Sequence, residues 1–144
     1  MNGETTSHAS AHKHIRVLIA DDSAVFRSAL GQLLERLPQV EVIGAAEDGE
    51  HALTLVGSLR PDLVLMDLQM PRLNGLQATR KIRNQFPGVR VIVITLHDSE
   101  EWKVASVAAG ADRFLSKHSL RGELPGALAQ LFPDRASAAE KERP

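Results

Sequence analysis

The sequence predicts an α/β domain, a doubly wound five-stranded parallel sheet with five helices. Three observations lead there. From Ile15 onwards, short runs rich in β-branched residues alternate with stretches of helical periodicity. The runs LVLM (63–66) and VIVI (91–94) are apolar at every position, as strands covered on both faces are. Regular strand–helix alternation with right-handed crossovers places helices on both faces of a parallel sheet.

Taken in order, residues 1–14 are small and polar, which predicts a flexible tail. IRVLIA (15–20) is the first strand. In the first helix, 23–37, Phe26, Ala29, Leu30, Leu33 and Leu37 share a face, and Pro38 cannot extend it. VEVIGA (40–45) is the second strand, followed by a helix over 48–59 that carries Ala52, Leu53 and Val56. After LVLM, the stretch 74–86 places Leu76, Thr79, Ile82 and Phe86 on one face, and Pro87-Gly88 closes it. VIVIT (91–95) is the fourth strand, 99–109 a helix stopped by Gly110, and RFLS (113–116) a weaker fifth strand. The last helix, 120–132, carries Leu124, Leu128 and Leu131, with Pro125 expected in its first turn, where a missing N–H is tolerated. The domain is thus expected over 15–132. Residues 133–144 are polar, a tail or the start of a linker.

Composition narrows the function. The 144 residues fit one domain, and 43% hydrophobic residues suffice for a core without staples. A net charge of -1 gives no general pull on nucleic acid or anionic membrane. With no cysteine, disulfides and thiol chemistry are excluded. The N-terminus lacks the apolar core of a signal peptide, and no apolar run approaches the ~20 residues of a membrane span. A cytoplasmic protein is expected.

Ligands of such sheets bind beyond the carboxyl ends of the strands. Strand one ends in Asp21-Asp22, strand three in Asp67, strand four in Thr95 and strand five in Ser116-Lys117; strand two ends in Ala45-Ala46, which are unreactive. Two unit charges ~4 Å apart at an effective dielectric of ~20 repel by ~4 kcal/mol. Clustered carboxylates therefore need a counter-charge or must take up protons. Oxygen-only ligands favour Mg²⁺, Mn²⁺ or Ca²⁺, and few protein ligands plus phosphate oxygens is the Mg²⁺ habit. Lys117 can neutralise a phosphoryl oxygen and Thr95 can donate to one, which is the clamp phosphoryl transfer requires. The nucleophile would be a carboxylate, a group that forms acyl phosphates.

These residues resemble those of a bacterial two-component response regulator receiver domain. The matching pieces are Asp21-Asp22, Asp67 within DLQMPRLNG (67–75), Thr95 within VIVITLHD, and Lys117 within GADRFLSK (110–117). The likeness covers roughly 15–131. It implies a flavodoxin-like sheet of order 2-1-3-4-5. It implies that Asp67 is the phospho-acceptor, served by a sensor histidine kinase or a phosphotransfer protein. Asp21, Asp22, Asp67 and the backbone carbonyl of Gln69 would hold Mg²⁺, with Mn²⁺ as an alternative. Thr95 would be the switch hydroxyl, Phe114 the switch aromatic and Lys117 the conserved-type lysine. The wording TLHD and GADRFLSK is similar to the NarL/FixJ-type subgroup, whose members usually carry a DNA-binding helix-turn-helix; none follows in this sequence. The expected output is therefore contact with other proteins, including a homodimer on phosphorylation, and not direct binding of nucleic acid or membrane. The sequence departs from many relatives at Leu96, where a small residue is usual, and at His118, where proline is usual.

Other readings compete. Asp21-Asp22 could be a helix N-cap pair. Phe114 could be a core aromatic, and Gly75 could permit either a close or a left-handed backbone. Trp102 could mark a partner surface or simply cover the sheet edge; its neighbours Glu101 and Lys103 favour the surface. His8, His12 and His14 could catch a transition metal but lack supporting neighbours; His51, His97 and His118 are expected in solvent. A phosphatase using an aspartyl phosphate would need an acid two residues after Asp67, where Gln69 stands. The chain is thus expected to be no enzyme beyond its own phosphorylation and dephosphorylation. The alternatives are the receiver fragment of a longer DNA-binding transcription regulator and a degenerate receiver that only binds partners.

Overall fold

A computed structural model describes residues 14–135. His8, His12 and the chain beyond Arg135 lie outside the described residues. The elements are β1 (Ile15–Ala20), α1 (Ala24–Glu35), β2 (Val40–Ala46), α2 (Gly49–Leu59), β3 (Leu63–Met66), α3 (Gly75–Gln85), β4 (Arg90–Thr95), α4 (Glu100–Ala108), β5 (Arg113–Ser116) and α5 (Leu120–Leu131). A helical turn over 133–135 reaches the edge of the described region. The five strands are parallel in the order β2-β1-β3-β4-β5, the doubly wound, flavodoxin-like arrangement expected. No helix among the described residues is long and apolar enough to cross a membrane.

Alternate residues of each central strand feed opposite cores, which is why these strands read as unbroken apolar runs. Ile19, Leu65, Ile92 and Ile94 pack with Leu30 and Leu34 of α1 and Leu124 and Leu128 of α5. Ala20, Val64, Met66 and Val91 pack with Ala52 and Val56 of α2 and Ala78 and Ile82 of α3. A smaller cluster, Leu68, Val93 and Ala111, is flanked by Leu76 and Phe114. Helix α4 covers the sheet least: Ser106 is its one buried residue, and Val104 and Val107 face solvent.

Caps explain where the helices start. Ser23 accepts from the Phe26 N–H, Asp48 from the His51 N–H, and Asn74 and Gln77 form a reciprocal capping box. Ser23, and not the preceding acid pair, is therefore the N-cap of α1. One expectation is corrected. Pro125 is the sixth residue of α5, inside the helix and beyond its first turn. Its missing N–H deprives the Arg121 carbonyl of its usual partner, and because both residues are exposed, water can serve that carbonyl.

Candidate functional site

Register brings the acids together. Ala20 pairs with Met66 across β1 and β3, so the residues that follow, Asp21 and Asp67, leave the sheet side by side. The Asp67 N–H donates to the Ala20 carbonyl at 2.9 Å, which carries the pairing to the carboxylates themselves. Asp21, Asp22 and Asp67 each present an oxygen within 4.8 Å of the others'. Asp21 and Asp67 are buried, whereas Asp22 is exposed at the mouth.

One cation faces them. Lys117 leaves β5 at the same edge, its N–H donating to the Thr95 carbonyl at 2.9 Å. Its Nζ lies 2.7 Å from Asp21 Oδ2 and 3.7 Å from Asp67 Oδ1. Among the described residues no other side chain pairs with these acids, so one ammonium offsets three carboxylates. The deficit shows in Asp67, whose pKa is raised from 3.8 to about 6. Burial is the largest cause and the Asp21 charge the next; Lys117 and the Leu68 N–H pull the other way, and Asp22 adds to the rise.

The loop after Asp67 is held from both sides. Met70 is buried in the second core. Arg72 takes a left-handed conformation (φ 67°). Gly75 donates its N–H to the Leu68 carbonyl at 2.9 Å, and a Cβ on it would stand 2.0 Å from the Asp67 carbonyl oxygen. Gly75 therefore serves close approach, not a left-handed backbone.

Asp21, Asp22, Asp67, Gln69, His97 and Lys117 line a single crevice of about 250 Å³, together with Ser23 and Leu96. Thr95 is fully buried at the end of β4, and its Oγ1 accepts from the His97 N–H at 3.0 Å. It does not itself line the crevice, although its neighbours Leu96 and His97 do. Phe114 is further off. It is half-buried on β5, pairs with Val93 and packs against the Leu68 cluster. Trp102 borders an adjoining groove with Asp22, Gln69 and Met70, its ring centroid 6.1 Å from that of His97. His14, His51, His97 and His118 are exposed.

Sequence reasoning missed three supports. Ser23 N–H donates to Asp21 Oδ1 at 2.8 Å, and Arg27 Nη1 donates to the Asp21 carbonyl at 2.6 Å. Phe26, read only as a core position of α1, has the Lys117 ammonium over its ring. The available signal was proximity: all three lie within five residues of Asp22.

The model of the response regulator receiver domain family matches residues 17–129. The transcriptional regulatory protein DegU of Brevibacillus brevis is 39% identical over 103 residues, 72% of this chain and 44% of that protein. The nitrate/nitrite response regulator protein NarL of Escherichia coli is 37% identical over 114 residues, 79% of this chain and 53% of that protein. The chain spans about half the length of these relatives. Among solved structures, the signal receiver domain of the putative response regulator NarL from Mycobacterium tuberculosis superposes with a TM-score of 0.78 at 32% identity, covering 84% of this chain and 98% of that one. A chain of the CheX-CheY-BeF3-Mg complex from Borrelia burgdorferi gives 0.76 at 27% identity, covering 82% and 89%.

Proposed function

The chain belongs to the response regulator receiver domain family, and from that premise we propose that it is a phospho-acceptor switch of a two-component system, with Asp67 taking a phosphoryl group from a histidine kinase or a phosphotransfer protein. The observation that carries this reading is the pairing of Asp67 with Lys117 in a crevice that holds two further carboxylates. One Asp67 oxygen attacks phosphorus, the bond from phosphorus to the donor's imidazole nitrogen breaks with its electron pair staying on nitrogen, and an acyl phosphate results. Asp67 must be ionised to attack, and with a pKa near 6 it is so at neutral pH. Lys117, 3.7 Å away, neutralises a phosphoryl oxygen.

The donor set fits Mg²⁺: oxygens only, three of them within 4.8 Å, one at the solvent-facing mouth, and too little positive charge beside them. Asp21, Asp22, Asp67 and the Gln69 carbonyl would hold the ion, with Mn²⁺ as a substitute. When bound, Mg²⁺ supplies charge neutralisation between carboxylates and phosphoryl oxygens. Titration calorimetry should find Mg²⁺ affinity reduced at least about tenfold in Asp22→Ala; equal affinity in variant and wild type would refute the assignment.

Incubation with a small acyl-phosphate donor and Mg²⁺, followed by intact-mass measurement, tests the whole reading. Wild type should gain one phosphate, and an unlabelled wild type would leave only a partner-binding module. The protein is otherwise no enzyme; phosphorylation and dephosphorylation of itself are its chemistry.

The response runs through Thr95 and Phe114. A phosphoryl group brings nearly two negative charges and strong acceptor oxygens. It draws the Thr95 hydroxyl from its bond with the His97 N–H, and Phe114 follows into the space vacated. Thr95→Ala should still be labelled yet show none of the NMR shift changes that phosphorylation causes on α4 of wild type. The output is a changed protein-interaction surface, a homodimer included. Because the relatives are about twice as long, service as the receiver part of a DNA-binding regulator is the second reading.

A further inference from the structure

Lys117 has a neighbour besides its carboxylates. Its Nζ lies 3.9 Å from the centroid of the Phe26 ring. An ammonium over an aromatic face within about 6 Å is attracted by the ring quadrupole, and more strongly once desolvated. The Lys117 side chain is only 11% exposed, so water holds little of it. The ring is itself held in place. Phe26 sits in the first turn of α1, where its N–H donates to Ser23 Oγ at 3.1 Å, and its side chain packs against the cluster that includes Leu30, Leu34 and Leu120. Residues 21–27 therefore carry both the acid that binds Lys117 and the ring beneath it, and β5 delivers the lysine to the two together.

We infer that Phe26 is a positioning residue whose ring face holds the Lys117 ammonium at the crevice; this rests on the reading of Asp67 as the phospho-acceptor. Before phosphorylation the ammonium favours Asp21, at 2.7 Å against 3.7 Å for Asp67. Phosphorylation must turn it towards the new charge on Asp67. A ring face suits that movement, because its attraction is spread over an area and the ammonium can turn without leaving it. A carboxylate there would compete with the phosphoryl group. An aliphatic side chain would fill the space but leave the flexible lysine stem free to carry its charge out to water.

The test replaces Phe26 with mono-, di- and trifluorinated phenylalanine, which weakens the quadrupole stepwise at nearly constant shape. The rate of Asp67 labelling by an acyl-phosphate donor at saturating Mg²⁺ should fall in steps, by about three- to tenfold across the series, with thermal stability unchanged. Phe26→Tyr should retain the wild-type rate, and Phe26→Leu should be as slow as the trifluoro protein. By NMR, the Hε protons of Lys117 should be shifted upfield by the ring current in wild type and should return to ordinary values in Phe26→Leu. Labelling rates indifferent to fluorination would reduce the ring to a core filler. An absent ring-current shift in wild type would overturn the geometry. Failure of wild type to be labelled at all would instead overturn the phospho-acceptor reading, and this inference with it.

Discussion

Asp67→Asn should abolish labelling by an acyl-phosphate donor and at the same time make the metal-free protein more stable at neutral pH. The amide has nearly the carboxylate's shape but is no nucleophile, so no phosphate is added. The stability gain follows from the raised pKa. In the unfolded chain the group titrates at 3.8, and in the folded protein at about 6. Between those values the folded state binds the extra proton, so stability falls as pH rises through that window. Below it, both states are protonated and the penalty is absent; above it, the folded protein carries the whole cost of a buried, repelled charge. A shift of about two units corresponds to about 3 kcal/mol for a side chain this buried. Denaturant unfolding at pH 7.5 without divalent cations should therefore show Asp67→Asn more stable than wild type by about 2–3 kcal/mol, with most of the difference gone near pH 4. A difference that is independent of pH would remove the charge explanation. Phosphate still incorporated by Asp67→Asn would move the acceptor elsewhere.

The location of that penalty was legible in the sequence, but its size was not. The abrupt change from apolar run to acid at Ala20-Asp21 and Met66-Asp67 marks two strand ends, and a parallel sheet necessarily brings strand ends of one sense to one edge. Thr95 and Ser116-Lys117 reach that edge by the same rule. The strand order, by contrast, came from the resemblance, since alternation alone permits several orders. Depth of burial, which sets the Asp67 pKa, depends on how loops close over the edge, and no local pattern encodes it. The preference of Lys117 for Asp21 over Asp67 depends on the rotamer of a four-carbon stem. Phe26 was hidden because its spacing satisfies the core pattern of α1, and periodicity does not distinguish a ring that faces only its own kind from one that also faces an ammonium. Pro125 was misplaced although the helix start at Leu120 was read correctly: it is the sixth residue, in the second turn, and is tolerated there because the Arg121 carbonyl it leaves unpaired lies on an exposed surface.

Gly75→Ala should be the most damaging single-methyl change at this site. The glycine opens α3, where alanine would ordinarily improve helix propensity by up to about 1 kcal/mol. Here the added Cβ would stand 2.0 Å from the Asp67 carbonyl oxygen and 2.8 Å from the Leu68 Cα. Both obstacles are backbone, so no side-chain rotation relieves them. Either α3 backs away, breaking the bond from the Gly75 N–H to the Leu68 carbonyl, or the end of β3 moves and takes the acceptor with it. Overpacking of this kind costs about 1–3 kcal/mol, and with rigid neighbours the upper end is expected. Displacing Asp67 from Lys117 by about an ångström should slow labelling by about a hundredfold. Gly31→Ala supplies the control: it lies in the interior of α1 with nothing within 4 Å of its added Cβ, and should gain about 0.5–1 kcal/mol with labelling unchanged. Denaturant unfolding and labelling rates, measured on both variants, separate helix propensity from the packing of α3 against β3. Wild-type labelling by a stably folded Gly75→Ala would show that this contact does not position Asp67.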